Sequence, residues 1–295
     1  MTVATTQSAH RRGIMLMLIS TACFTANVLL IRTLGQMQSV NVWLISCARF
    51  LMGLAIIAAV YWKEFQPSHL FTRRKLAERG IYGGLGVYAY YLTVIHLGAG
   101  RATFINNTYV IWGALMAAWL LGERLRAAVI VGGTAALAGL ALLTNVFATG
   151  SSPGLYDLVA IACAVASAYI VVTIRQLHAT EHTSTIFSAQ CVYGLLICGI
   201  PALLHPETLT PSAWALMLFA GACAAVGQLT MTRAFRDLPV TEGSLLQMLV
   251  PLGIAVGGAI FFAERFTTSE LIGAALIFAG TAATAIRAPS PVRPR

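Results

Sequence analysis

"FFAERFTTSELIGAALIFAG" (261–280) decides how this chain is built, because it is a second writing of "LLGERLRAAVIVGGTAALAG" (120–139). At a shift of 141 positions Glu123 falls on Glu264, Arg124 on Arg265, Gly132 on Gly273 and Gly139 on Gly280, without a gap. The same shift lays "ARFLMGL" (48–54) over "AQCVYGL" (189–195), and a shift of 143 lays "IRTL" (31–34) over "IRQL" (174–177). A near-constant shift along a whole chain marks internal duplication. Two units are expected, residues 1–147 and 148–295, within one integral membrane domain.

The membrane is required by composition. Of 295 residues 58% are hydrophobic and only 10% charged, with mean hydropathy +0.79. A soluble domain carries about 25% charged residues, so water could not wet this surface. The long apolar runs do not alternate with polar residues, which excludes a transmembrane barrel. Apolar blocks between polar breaks predict an all-α polytopic protein of ten transmembrane helices, at about 13–32, 41–62, 80–98, 102–121, 127–147, 155–175, 184–204, 213–234, 240–262 and 270–287. The breaks "TGSSPG" (149–154), "HPETLTP" (205–211) and "TTSE" (267–270) are turn and N-cap chemistry.

The net charge of +9 does not point to nucleic acid, since the cations sit in short loops between apolar blocks. With ten spans, fifteen Lys and Arg fall on the side of both termini, against Arg32, Arg101 and Arg265 on the other; Arg49 lies within a span. That asymmetry puts both termini in the cytoplasm, with the chain in the cell's inner (plasma) membrane. Arg11-Arg12 precede an apolar block too long for a cleaved signal, so the first span is expected to stay. The six cysteines all lie in apolar segments without Cys-x-x-Cys spacing and read as packing residues. Because five is odd, the second copy must cross the membrane in the opposite sense, giving an inverted-topology repeat of the kind from which secondary transporters, and also channels, are built.

The segment "AFRDLPVTEGSLLQMLVPLGIAVGGAIFFAERFTTSELIGAALIFAG" (234–280), with mid-span Pro251, Glu264-Arg265 and a glycine-bearing last helix, resembles the closing signature of the drug/metabolite transporter superfamily. "GAGRATFINNTYVIWGALMAAWLLGERL" (98–125) is its weaker echo in the first half. The resemblance covers nearly the whole chain as two five-helix (EamA-type) repeats and implies a ten-helix exporter of small metabolites. The tyrosine-rich third span makes the aromatic amino acid exporter branch the nearest match. Val110 stands where the second repeat has Pro251, so a kink is expected only in span 9.

Polar groups within apolar spans need protein, water or cargo as partners. Tyr88 and Tyr91 share a helical face in span 3; Asn106, Tyr109 and Trp112 lie on one arc of span 4. With Gln228, Gln247 and the intramembrane Arg49 they are the candidate substrate-binding residues, aromatic faces for an apolar group, amides and guanidinium for a carboxylate. Asn27, Ser167, Tyr169, Thr232 and Ser244 are lesser candidates, and each polar group has the alternative of bonding helix to helix. Pro251 is the candidate hinge or gate, since it frees a backbone carbonyl. Glu123-Arg124 and Glu264-Arg265 read as fixing turns or neighbouring helices, with gating as the alternative, and His96 as a hydrogen-bonded or interfacial histidine, with a proton relay as the alternative.

Enzyme chemistry is not expected. The only aspartates, Asp157 and Asp237, stand at span edges, and no zinc, nucleophile-elbow or P-loop motif occurs. No cofactor or metal is implied, no ATP site drives transport, and a monomer with lipid and small-molecule partners suffices. The function expected is secondary export of small metabolites, most readily amino acids including aromatic ones, by alternating access. A channel-like facilitator or a drug or toxic-cation efflux protein stays open as the alternative.

Overall fold

The computed structural model describes residues 3–146 and 154–285. Thirteen helices run through them: α1 (Val3–Met37), α2 (Val42–Val60), α3 (Pro67–Thr72), α4 (Arg74–Leu97), α5 (Ala99–Asn107), α6 (Tyr109–Leu121), α7 (Ala127–Leu143), α8 (Leu155–Leu177), α9 (Thr183–Leu204), α10 (Pro211–Asp237), α11 (Val240–Gln247), α12 (Leu249–Phe262) and α13 (Thr268–Ala285). No strand occurs among the described residues. The "TGSSPG" break up to Pro153 lies outside them, as do Arg287, Arg293 and Arg295.

Among the described residues seven stretches are long and apolar enough to cross a membrane: Gln7–Met37, Val42–Val60, Gly100–Leu121, Leu155–Leu177, Thr183–Leu204, Pro211–Asp237 and Val240–Phe262. Ala127–Leu143 and Thr268–Ala283 are apolar but shorter. Helix α4 has the length, but its first two turns carry Arg74, Lys75, Glu78 and Arg79. Large apolar side chains such as Trp119, Leu203, Ile260 and Phe261 stand on the outer surface, where hydrocarbon and not water suits them.

The breaks form as their chemistry dictates. Thr210 caps α10 by accepting the Ala213 amide at 3.3 Å. Thr267 and Glu270 form a capping box at the start of α13, the Thr267 amide donating to Glu270 Oε2 at 2.7 Å. Helices α6 and α12 both end in a left-handed residue, Gly122 (φ 66°) and its repeat mate Ala263 (φ 53°).

The packing itself displays the duplication. Helix α1 packs on α10 as α4 packs on α8; α1 meets α12 as α6 meets α8; α2 meets α10 as α4 meets α9. Each pair becomes the other when the halves are exchanged. Two equivalent pairs, α7 with α13 and α2 with α9, mate with themselves. Both run antiparallel. Gly139 abuts Gly273 while Gly132 abuts Gly280, and Gly53 faces Cys191 while Phe50 faces Gly194. Equivalent helices running oppositely is what a twofold relation between repeats of inverted sense produces. The α7–α13 crossing depends on its glycines, which let backbones touch where any side chain would part them.

Spans 4 and 9 are each broken in two, at Thr108 and Met248, which corrects the expectation of a kink in span 9 alone. In span 9, Pro251 offers no N–H to the Gln247 carbonyl, and the chain is broken there. In span 4, polar side chains do the same work. Asn107 Nδ2 donates to the Thr103 carbonyl at 2.8 Å and Thr108 Oγ1 to the Ile105 carbonyl at 2.6 Å, competing with the helical ladder.

Candidate functional site

A cavity of about 530 Å³ lies between the repeats, lined from α1, α2, α4, α5, α6, α8, α9, α10, α11 and α12. Its size suits a small metabolite, since such sites span roughly 300–1,000 Å³. Its lining includes the aromatic and apolar side chains Phe24, Val87, Tyr90, Tyr91, Tyr109 and Ile254. It also carries Arg49, Arg79, Gln190, Gln228 and Gln247, and none of the chain's ten carboxylates lines the cavity.

The two arginines are placed by amides. Arg49 Nη2 donates to Gln228 Oε1 at 3.0 Å, and its guanidinium carbon lies 5.6 Å from the Phe24 ring centre. Arg79 is 1% exposed, and its Nη2 donates to Gln190 Oε1 at 2.9 Å. Gln190 is the repeat mate of Arg49, so duplication set a cation and an amide at equivalent positions around one cavity. Arg79 Nε and Nη1, Asn106 Oδ1 and Ser244 Oγ are buried without a hydrogen-bond partner in the protein.

Of the residues singled out in the sequence, Arg49, Tyr91, Asn106, Tyr109, Gln228, Gln247 and Pro251 are brought together on this cavity, with Asn27 and Ser167. Tyr88 and Trp112 are not. Tyr88 stacks on Trp43 with ring centres 4.3 Å apart. Trp112 is 37% exposed, on α6 one turn beyond Tyr109. Tyr169 donates to Glu78 Oε2 at 2.6 Å, Thr232 Oγ1 donates to the Gln228 carbonyl at 2.8 Å, and His96 stacks on Tyr156 at 3.7 Å. Tyr90, adjacent to Tyr91, lines the cavity in addition. Arg79, which charge counting had placed in a loop, is the larger omission. It lies inside because α4 starts at Arg74 and carries it more than a turn into the helix.

The two ends of the bundle differ. Residues 183–191 of α9 and all of α11 are buried at the end where α8 and α10 finish. Their repeat counterparts at the opposite end are looser; among the described side chains of α5 only Ala102 is buried. The packed end contains Met17, Leu76, Ile174, Ile186, Phe235 and Leu246. Ion pairs rim it. Glu242 pairs with Arg126 and with His10 at 2.8 Å. Glu123 accepts the Val240 amide at 3.0 Å and faces Arg175 Nε at 3.9 Å. Burial pushes the Glu123 carboxyl up, against the opposing pull of that amide and of Arg175. At the looser end the repeat-related pair, Arg32 with Glu264, is more open to solvent, with side chains 38% and 41% exposed. The carboxylates of both Glu-Arg dipeptides therefore tie to a neighbouring helix.

The chain matches the EamA-like transporter family twice, over residues 11–145 and 154–286, and it belongs to that family. It is 28% identical over 205 residues to the pseudopaline exporter CntI of Pseudomonas aeruginosa strain UCBPP-PA14, covering 68% of this chain and 71% of that protein. The homologous exporter of strain PAO1 is also 28% identical, over 206 residues. A solved structure titled only as the crystal structure of a protein superposes with a TM-score of 0.78 at 21% identity, covering 92% of this chain and 95% of that one. That likeness shows the fold. The chain is thus a multi-pass membrane transporter with two EamA repeats.

Proposed function

We propose that this EamA-family chain is a secondary exporter of small carboxylate-bearing metabolites, working by alternating access through the cavity between its repeats. Ten crossings with both termini in the cytoplasm accommodate the helices, counting each broken pair as one span, in the cell's inner membrane. On that orientation the packed end faces the cytoplasm and the cavity opens outward. The exchange that follows is a rocking of one repeat against the other: the Glu123–Arg175 rim loosens while its counterpart, Arg32–Glu264, tightens, and Pro251 absorbs the bend in span 9. A monomer is complete for this, because both halves of the site are in one chain.

The observation that carries the reading is a cavity of metabolite size at the repeat interface, lined by two arginines and several aromatic rings and by no carboxylate. Amino acids and their derivatives, aromatic ones included, suit that lining, with carboxylate on Arg49 and a planar group among Tyr90, Tyr91 and Tyr109. Similarity to two pseudopaline exporters supports export of a small metabolite and widens the cargo beyond aromatic amino acids. Efflux of cationic drugs is disfavoured, because two arginines face the cavity and no carboxylate does.

Counterflow in proteoliposomes tests the proposal. Vesicles loaded with unlabelled phenylalanine or another acid metabolite should accumulate the labelled compound transiently, with saturation and competition. Flux that is linear in concentration and indifferent to competitors would mean a channel, and no flux of any metabolite would remove the transporter reading.

A further inference from the structure

Nine of the ten carboxylates are already engaged. Glu242 holds Arg126 and His10, Asp157 holds Arg101, Asp237 holds Arg12, Glu264 holds Arg32 and Glu181 holds His69. Glu78 pairs with Arg74, Glu123 faces Arg175, Glu207 accepts the Asn41 amide, and Glu270 caps its own helix. Arg49 and Arg79 share one cavity, and each is met by a glutamine oxygen in place of a carboxylate. A buried cation without an anion costs several kcal/mol, so this pairing is not what a scaffold selected for stability alone retains.

Arg79 is the sharper case. Its side chain is 1% exposed and two of its three nitrogens, Nε and Nη1, lack a partner, although it lines the cavity. A guanidinium offers five N–H donors, and a carboxylate brought to it can accept from more than one of them. Gly83 gives the buried head its space, since a Cβ there would collide with Arg79 Nη1. Resting on the transporter reading above, which needs one carboxylate at Arg49, we propose that Arg79 is a second anion subsite. The cargo this chain binds best therefore carries two acidic groups and a net negative charge, with its apolar part among the tyrosines. Gln190 is the positioning residue: it holds Nη2, while the charge of the buried head stays without a protein anion.

Three ligands isolate the second acid: phenylalanine, N-acetylphenylalanine with one carboxylate and no ammonium, and N-succinylphenylalanine with two carboxylates. Binding to purified full-length protein is read by calorimetry and by ligand-induced shift of the melting temperature, and transport by counterflow. The succinyl compound should bind at least about tenfold more tightly than the acetyl compound, about 1.4 kcal/mol. Arg79→Gln should erase that ratio, bringing the affinity of the succinyl compound down to that of the acetyl compound, while Arg79→Lys keeps part of it. Unliganded Arg79→Gln should melt no lower than the parent, because the change removes an unneutralised buried charge; a purely structural arginine would melt lower when lost. Equal affinity for the acetyl and succinyl compounds in the parent, or a preference that survives Arg79→Gln, overturns the second subsite. If phenylalanine is still transported in that case, the exporter reading stands without it. If none of the three is bound or moved, both fall.

Discussion

Replacing Gly139 by alanine tests the crossing that joins the two repeats. A methyl group there would lie 2.5 Å from the Gly273 carbonyl oxygen and 2.9 Å from both the Ile277 nitrogen and Leu276 Cβ. Ordinary contact begins at 3.4 Å, and the two nearest atoms are backbone, so α7 and α13 must part locally by about 0.9 Å. Overpacking of that kind costs about 1–3 kcal/mol. Gly133, on the same helix, is the control: a methyl group would meet only Leu245 Cδ2 at 3.6 Å. There the change should stabilise by about 0.5–1 kcal/mol through lower chain entropy. The two single-methyl variants should thus differ by about 2–4 kcal/mol, a separation in melting temperature on the order of 5–10 °C. Tryptophan fluorescence during thermal unfolding in detergent measures it. Gly280, whose methyl would strike the Gly132 carbonyl, should behave like Gly139. Indistinguishable melting of the Gly139 and Gly133 variants would refute the contact, and disparity between Gly139 and Gly280 would refute the symmetry.

Ala263→Gly should raise stability by about 0.5–1 kcal/mol, seen as a higher melting temperature, since Ala263 holds φ 53° where its repeat mate is Gly122. Burial pushes His178 down to about 4 despite its 2.7 Å bond to the Thr232 carbonyl. The unfolded chain takes the proton near 6.5 and the folded chain resists it, so stability present above that pH is lost as pH falls from 6.5 to about 4, by up to about 3 kcal/mol. His178→Gln, which can keep a donor to Thr232, should flatten the melting temperature over that window. Pro251→Ala restores an N–H for the Gln247 carbonyl and should join α11 to α12, slowing counterflow on the order of tenfold, about 1.4 kcal/mol in the exchange barrier; an unchanged rate would remove the hinge.

The duplication was legible because it rests on glycines and caps whose spacing the crossing itself demands, as Gly132, Gly139, Gly273 and Gly280 show. The break in span 4 was not. Helical periodicity assumes an unbroken ladder, and "NNT" (106–108) ends it through side-chain bonds that spacing arguments do not weigh. Tyr88 and Tyr91, three residues apart, are neighbours on an isolated helix, yet α2 supplies Trp43 as a stacking partner for Tyr88 and leaves Tyr90 and Tyr91 to the cavity. Arg79 was missed because a cation near a span edge counts as a topology signal until the helix start is known. Only tertiary structure shows that Gln190 receives it.

Thiol labelling on the two repeats tests the central claim, inversion of one half against the other, most directly. In a cysteine-free background, Ser39→Cys follows α1 and Thr180→Cys follows its equivalent α8, and both sites are solvent-exposed. A membrane-impermeant maleimide added to intact cells should modify position 39 alone, and position 180 only once the membrane is permeabilised. Modification of both positions from the same side would contradict the inverted repeat and the alternating-access mechanism built on it.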